Sequence, residues 1–310
     1  MIILKTIEEL STLKGPIVLA AGTFDGLHLG HQALIRRAMD EAAACGGTAV
    51  VMTFDRHPAS VVRPDRAPKL LTLNGSKIAL LDRMEVPALL LLEFTPELAS
   101  VSAEEFIASL VAQSHPLRMI CVGSQWSFGK GGRGTLTLLE QMGRELGFSV
   151  TQINPVEVHG SAISSTRIRN AITSGDFAEA KACLGRPFLL AGRVVKGAGL
   201  GATIGFPTAN LDVEGMQLPP DGVYAVTVTT EGLLCLGVCN IGLRPTVEMA
   251  STKRTVEVHL FDVSQDFVGK ELSVEFVKFL RSERKFNGLE ELKGQIARDC
   301  TKARGFLLSY

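Results

Sequence analysis

The chain has 310 residues, 46% hydrophobic and 21% charged, and its 32 Lys+Arg balance its 32 Asp+Glu to a formal net charge of zero. That is too apolar and too weakly charged for a disordered chain, and it lacks the basic excess of a dedicated nucleic-acid binder. The length exceeds one typical domain, so two are expected.

The start, Met1-Ile-Ile-Leu-Lys5-Thr-Ile-Glu8-Glu9, has no basic n-region, long apolar centre or cleavage site, so it does not read as a signal peptide. Ile17–Ala21 is an apolar run ending at Gly22. A helical pattern follows over 31–44, with Leu34, Ile35, Ala38, Met39 and Ala42 on one face, closed by Gly46-Gly47. Thr48–Phe54, Ala88–Phe94, Met119–Val122 and Phe148–Ile153 read as strands, separated in part by helices over Ser102–Gln113 and Leu136–Leu146. The greasiest stretch, Ala88–Leu92, is far short of the about 18 residues of a membrane span and reads as a buried strand. Apolar strands alternating with helices predict a doubly wound parallel sheet, Rossmann-like, covered on both faces. The texture changes near residue 185, after a short helix over Asp176–Leu184. From Phe188 to Phe279 strand-like segments are broken by Gly197–Gly201, Pro219–Gly222, Glu231-Gly232 and Val268-Gly269, the pattern of a small antiparallel β-barrel. A closing helix is expected from Asn287 as cap, with Glu290 three residues on and an apolar stripe of Leu289, Leu292, Ile296, Ala303 and Phe306. The expected domains are therefore 1–185, α/β, and 186–310, β with a terminal helix. The six cysteines form no Cys-x-x-Cys and no zinc-type cluster and read as small hydrophobes in a reducing cytoplasm; Cys235 and Cys239 would share a strand face.

Between the first strand and first helix lies Gly22-Thr23-Phe24-Asp25-Gly26-Leu27-His28-Leu29-Gly30-His31. An open α/β sheet binds ligands there, outside the carboxyl ends of its strands. Gly22, Gly26 and Gly30 permit close approach of backbone to ligand, and the helix start offers free N–H groups to a triphosphate. His28 and His31 can donate to phosphoryl oxygens as charge develops. Later, Ile163-Ser164-Ser165-Thr166-Arg167-Ile168-Arg169 crowds three hydroxyls and two guanidiniums before a helical stretch, a second group suited to phosphate.

The His-x-Gly-His loop, followed about 130 residues later by Ser-Ser-Thr-x-Ile-Arg, resembles the adenylyltransferase half of bacterial bifunctional riboflavin kinase/FAD synthetase, within the wider His-x-Gly-His nucleotidyltransferases. Thr53-Phe54-Asp55-Arg56-His57-Pro58 resembles a loop that in this family is associated with flavin and nucleotide. The resemblance implies that His28, His31 and Arg169 stabilise phosphates. It places Gly22, Thr23, Phe24, Asp25, Gly30, Ser164, Ser165, Thr166, Phe54, Asp55 and His57 at the nucleotide and flavin. One departure is visible: after Val122-Gly123, where the family commonly has Asp-Phe, this chain has Gln125-Trp126. Gln125 cannot supply a carboxylate, and Trp126, the only Trp, can stack on a planar ring.

In the second half, Gly197-Ala-Gly-Leu-Gly201-Ala-Thr-Ile-Gly205-Phe-Pro-Thr208-Ala-Asn210 could form a tight loop whose N–H groups wrap phosphates, though it lacks a P-loop's Gly-Lys-Ser/Thr ending. Thr208 and Asn210 fall on one face if extended and offer hard oxygens to Mg²⁺. Asn240–Thr246 reads as a polar turn after a strand. In Thr255-Val-Glu257-Val-His259-Leu, Glu257 and His259 share one face, where an acid at a barrel mouth could act as general base. With Asp221-Gly-Val-Tyr224 and Arg281-Ser-Glu-Arg-Lys-Phe286, these segments resemble the riboflavin kinase domain in order. Leu200-Gly201 and Phe267-Val268-Gly269 depart from its commoner pattern.

The resemblance, over roughly residues 15–305, implies a bifunctional enzyme using riboflavin, FMN and ATP with Mg²⁺, giving FMN and then FAD. Thr208 and Asn210 would hold the metal, Gly197 and Gly205 the nucleotide, and Glu257 would be the base. The expected protein is cytoplasmic, a monomer or weak homo-oligomer, with no nucleic-acid or membrane partner. The competing reading is a monofunctional riboflavin kinase with an inactive or regulatory N-terminal domain, motivated by Gln125.

Overall fold

The computed structural model describes residues 1–197, 199–245, 252–263 and 265–308. Two compact units divide the chain: Met1–Arg167 with Cys183–Gly185, and Ile168–Ala182 with Arg186–Tyr310.

In the first unit, β1 (Ile2–Leu4), β2 (Ile17–Ala21), β3 (Thr48–Phe54), β4 (Ala88–Leu92), β5 (Leu117–Gly123) and β6 (Ser149–Ile153) form a parallel sheet in the order β1-β4-β3-β2-β5-β6. Between β2 and β3 runs α1 (Leu29–Ala44); between β3 and β4 lie the short α2 (Ala59–Val62) and α3 (Asn74–Arg83). Next come α4 (Pro96–Ser100) and α5 (Ala103–Gln113) before β5, and α6 (Leu136–Leu146) before β6. Side chains alternate across the pleat. Val18, Ala20, Val51 and Leu89 pack under Leu34, Ile35, Ala38 and Ala42 of α1. Leu19, Ala21, Met52 and Leu90 pack against Ile107 and Leu110 of α5 and Leu139 of α6. The buried runs of β2 and β4 reflect this two-sided cover.

A hairpin of β7 (Glu157–Val158) and β8 (Ser161–Ala162) leads to α7 (Ser165–Ser174) and α8 (Phe177–Leu184). The second unit closes β9 (Leu189–Val195), β10 (Ala209–Asp212), β11 (Gly222–Thr230), β12 (Leu233–Pro245), β13 (Thr252–Leu260) and β14 (Glu271–Arg281) into a barrel ordered β10-β13-β12-β11-β14-β9. Its one-turn helix α9 (Leu200–Thr203) precedes β10, and α10 (Leu289–Leu307) ends it. The β11–β12 hairpin turns on Glu231 and Gly232, both at positive φ (45° and 82°), the two-residue turn whose twist matches the strands. Phe177 of α8 stacks on Phe276 of β14 at 5.3 Å.

The structure corrects four details of the sequence reading. Asn287 does not cap α10: Gly288 is the cap residue, with no side-chain bond, and Glu291 rather than Glu290 accepts the N–H of Asn287. The buried stripe of α10 is Cys300, Ala303 and Leu307; Leu289 and Phe306 are exposed. Asn240 lies within β12, not in a turn, because β12 stays paired to β13 through Pro245. Thr246 lies outside the described residues. β4 stops at Leu92 because its carbonyl accepts the N–H of Asp55 and the N–H of Phe94 goes to the Asp55 carboxylate.

The α5 start has a reciprocal cap: Ser102 Oγ accepts from Glu105 N, and the Glu105 carboxylate accepts from Ser102 N. Ser102→Ala is expected to destabilise the first unit by about 1 kcal/mol, read as a lower urea midpoint with an unchanged m-value.

Candidate functional site

The loop from β2 to α1 is folded around Phe24. At φ 49° its ring is fully buried in the core shared with α1, in edge contact with His31 at 5.2 Å. The sequence reading sets Phe24 and Asp25 against the ligand; in the structure both side chains are buried, with Asp25 among the residues lining a small polar cavity. The Phe24 ring has no solvent-facing surface. The Asp25 carboxylate, 4% exposed, accepts from the N–H groups of Leu71 (2.9 Å) and Thr72 (3.1 Å). These residues shape the loop from beneath.

That shape presents two stacked imidazoles, His28 and His31, with centroids 3.6 Å apart and planes within 16°. His28 is the N-cap of α1, and its Nδ1 accepts from His31 N at 3.3 Å. An accepting Nδ1 places the neutral ring's proton on Nε2, which is then a donor. His31 Nδ1 is buried without a hydrogen-bond partner. Burial first, then the proximity of His28 and Lys77, holds the His31 pKa well below the ordinary histidine value, so this ring is neutral at pH 7. The pair is largely buried at the start of α1, where the helix dipole favours anionic oxygens.

The second phosphate-type segment joins the first through Ser165, whose Oγ donates to the Asp25 carbonyl at 2.9 Å. Ser165 and Thr166 lie inside α7 rather than before it, and Ser164 Oγ accepts the N–H of Arg167. The Arg167 guanidinium is occupied by the carbonyls of Ser161, Ala162 and Val158, so it anchors the β7–β8 hairpin and is not a phosphate ligand. Arg169 belongs to the second unit, in the next turn of α7, where its carbonyl accepts from Thr173.

Beside the β2 and β3 ends is an apolar cavity of about 330 Å³, lined by Gly22, Phe54, Phe94, Phe106, Trp126 and Phe128 among others. Trp126 stacks on Phe128 at 4.5 Å, with planes within 19°. Phe54 meets Phe94 edge-on. A slot walled by parallel and edge-on aromatic rings suits a planar aromatic ligand. Asp55 and His57 face elsewhere: with Thr23, Asn74 and Lys77 they line a separate, smaller polar cavity. Burial pushes the Asp55 pKa up, but bonds from Arg56 and from Phe94 N–H win and hold it below the ordinary value. His57 Nδ1 accepts from Ala59 N. Gln125 is exposed.

In the second unit register builds the site. Asn210 on β10 lies opposite Glu257 on β13, which lies opposite Asn240 on β12. Cross-strand partners share a face, so the three side chains stand in a row. The same face carries Val223, Ala225 and Val238, which pack against Cys300 and Ala303 of α10. Glu257 therefore faces the outer wall of the barrel, beneath the terminal helix, and not the barrel mouth. The interior is filled from the opposite face by Tyr224, Cys239, Val256 and Val258. A cavity of about 330 Å³ there is lined by Thr208, Asn210, Asn240, Glu257, Arg284 and Phe286, among others. His259 Nδ1 lies 2.8 Å from the Pro207 carbonyl and holds the Pro207-Thr208 segment beside β13. The Arg281 guanidinium pairs with the buried Asp299 carboxylate at 2.8 Å, with Gln295 on the other oxygen, and so ties the end of β14 to α10.

The glycine loop departs from expectation. The N–H groups of Ala202, Thr203, Ile204, Gly205 and Phe206 all donate within the turn around α9, so these five are already engaged. Gly197 has a different use: a Cβ there would overlap the Asn210 amide. Sequence reasoning missed Lys77, Phe94 and Phe106, which no local motif marks, and the pairing of Asn240 with Glu257 and of Arg281 with Asp299, although the segments of Asn240 and Arg281 are singled out in the sequence.

A six-stranded parallel sheet with paired histidines at a helix start, joined to a small barrel with a carboxylate and hard-oxygen row, defines a two-part nucleotide-using transferase. The family models for FAD synthetase and riboflavin kinase match residues 11–167 and 184–307. A bifunctional riboflavin kinase/FMN adenylyltransferase of Escherichia coli (strain K12) is 40% identical over 290 residues, covering 93% of this chain and 92% of that protein. The protein of that name from Bacillus subtilis (strain 168) is 38% identical, covering 92% and 91%. A crystal structure titled as a macrolide-efflux protein from Streptococcus pneumoniae superposes with a TM-score of 0.78 at 31% identity, covering 96% of this chain and 97% of that one. The chain belongs to the bifunctional riboflavin kinase/FMN adenylyltransferase family. Among the described residues, no helix is long and apolar enough to cross a membrane.

The depressed His31 value has a sign that can be tested. Between that value and the ordinary 6.5 the unfolded chain binds more protons than the folded one, so stability rises with pH. The contribution is complete above 6.5 and is lost as pH falls below it. His31→Gln is expected to flatten the dependence of the first unit's unfolding free energy on pH below about 6.5, measured by urea melts across that range.

Proposed function

We infer that this chain makes flavin cofactors in two steps: it phosphorylates riboflavin to FMN with ATP, then transfers AMP from a second ATP to FMN, giving FAD and pyrophosphate. We assign the kinase to the barrel, residues 186–310, and the adenylyltransferase to residues 1–185. The observation that carries the reading is the Asn210–Glu257–Asn240 row in the barrel cavity, with a separate aromatic slot and histidine pair in the other unit.

In the kinase step the Glu257 carboxylate accepts the proton of the ribityl 5′-hydroxyl as its oxygen attacks the γ-phosphorus; the bond to the bridging oxygen breaks and ADP leaves. The donor set supports a divalent ion. Thr208 and Asn210, both lining the cavity, supply neutral hard oxygens. Mg²⁺ held by Thr208 and Asn210 would neutralise charge on the ATP phosphates. Gly197 then serves Asn210, by leaving room for its amide.

In the adenylyl step an FMN phosphate oxygen, already anionic, attacks the α-phosphorus, and the bond to the β-phosphate breaks with departure of pyrophosphate. No strong base is required. His28 Nε2–H and His31 donate to the phosphate oxygens, with the hydroxyls of Ser164 and Thr166 as further phosphate partners and the Gly22 and Gly30 backbone close by. The isoalloxazine ring occupies the Phe54–Trp126 slot, where Trp126 supplies an aromatic face.

Glu257→Gln is expected to lower FMN formation from riboflavin by about 100-fold or more while supplied FMN is still converted to FAD. His28→Ala is expected to do the reverse, accumulating FMN. Chromatography of the flavins over time reads both. Loss of both activities in either single variant would contradict the division.

A further inference from the structure

Lys77 has no part in the roles assigned above. It lies in α3, 6% exposed, and its ammonium donates to the carbonyls of Thr23 at 3.2 Å and Phe54 at 3.4 Å. Phe54 ends β3, and Thr23 opens the loop after β2, so one cation grips the exits of two adjacent parallel strands. These exits lead to the two halves of the adenylyl site. From Thr23 the chain runs to the histidine pair, and Phe54 itself lines the aromatic slot.

The segment that carries Lys77 is fastened to the same loops at three further points. Leu71 N and Thr72 N donate to the Asp25 carboxylate, and the Asn74 amide donates to the Asp55 carbonyl. Residues 71–77 thus form a clamp beneath both loops, and Lys77 is bonded to both. Burial pushes the Lys77 pKa below the ordinary lysine value, while the Asp25 and Asp55 carboxylates oppose that shift. A buried ammonium is costly unless paired and hydrogen-bonded. Structural support alone is met more cheaply by an apolar side chain, whereas gripping two carbonyls at once requires several donors on one atom, which lysine has.

We propose that Lys77 is a positioning residue for FMN adenylylation: its ammonium, tethered to the Thr23 and Phe54 carbonyls, sets the spacing between the histidine pair and the flavin slot. The proposal rests on the reading that the Phe54–Trp126 slot takes the flavin. In-line attack is sensitive to spacing, since displacement of a reacting group by about 1 Å costs on the order of 100-fold. Without the ammonium the Phe54 and Thr23 carbonyls lose their shared donor; the Thr53 hydroxyl still bonds the Thr23 carbonyl, at 3.0 Å, so the loops stay joined but their spacing is held less tightly.

The test uses the full-length chain with Lys77→Met, which keeps the length of the side chain and removes the charge. FMN adenylylation is measured with ATP and FMN each varied, riboflavin phosphorylation is measured in parallel, and FMN binding is followed by quenching of Trp126, the only Trp. The expected result is a fall of about tenfold or more in kcat/KM for adenylylation. KM should rise for both ATP and FMN, quenching by FMN should weaken, and riboflavin phosphorylation should be unchanged. Lys77→Gln, which keeps N–H donors without the charge, should show a smaller loss and serves if the Met variant does not fold. Wild-type KM values and quenching in a folded variant, even with a lower Tm, would overturn the proposal and leave Lys77 a stability residue. Failure of FMN to quench the wild type would instead contradict the slot assignment, and the KM values would still decide the role of Lys77.

Discussion

Strand register is the constraint on which both sites depend. In the parallel sheet, Ala21 of β2 is level with Met52 of β3, and Phe54 with Leu92 of β4, so the loops that follow these three strands leave at one edge. In the barrel, the pairings Asn210–Glu257 and Glu257–Asn240 bring three polar side chains from distant parts of the chain into one row. A slip of one residue would turn Glu257 into the barrel and Val256 or Val258 out of it. The buried valines on either side of Glu257 hold the register: their burial requires the carboxylate to face the cavity.

In the first unit, packing then converts register into chemistry. Burial of the Phe24 ring stabilises the loop by roughly 2–3 kcal/mol and tucks Asp25 beneath it. With Asp25 bonded from below by Leu71 and Thr72 and from the side by Ser165, the chain enters α1 with His28 at the cap. The histidines gain a fixed stacked geometry and lose solvation. The consequence is a neutral His31 beside a His28 ring whose tautomer is fixed by a backbone N–H. Donors of known direction are in place before a nucleotide binds, so little reorganisation accompanies charge development.

Much of this was legible in the sequence, for identifiable reasons. The alternation of apolar strands and amphipathic helices marks the parallel sheet, and glycine-rich turns at short spacing mark the barrel. The histidine loop was legible because its chemistry is local: two imidazoles three residues apart at a helix start need no distant partner. What misled was side-chain direction within the motif. Phe24 and Asp25 sit in the same decapeptide as the histidines, yet one is core and the other a backbone anchor; no spacing rule separates them. The glycine loop misled likewise, since only structure shows that five consecutive N–H groups are occupied by the turn. Phe94, Phe106 and Lys77 were not legible because their roles arise from register and packing between remote segments. At α10, Asn287 and Glu290 have the residue types of a capping box, but the helix begins a residue later and Glu291 makes the bond.

The kinase and adenylyltransferase sites of the account are separate, and FMN is the only thing one must deliver to the other. Mixing two full-length variants, Glu257→Gln and His28→Ala, with riboflavin, ATP and Mg²⁺ tests this directly. The predicted result is FAD from the mixture at a rate far above that of either variant alone with riboflavin, because the kinase of one molecule supplies FMN to the adenylyltransferase of the other. A mixture that forms FMN but no FAD, although Glu257→Gln converts added FMN, would contradict the account.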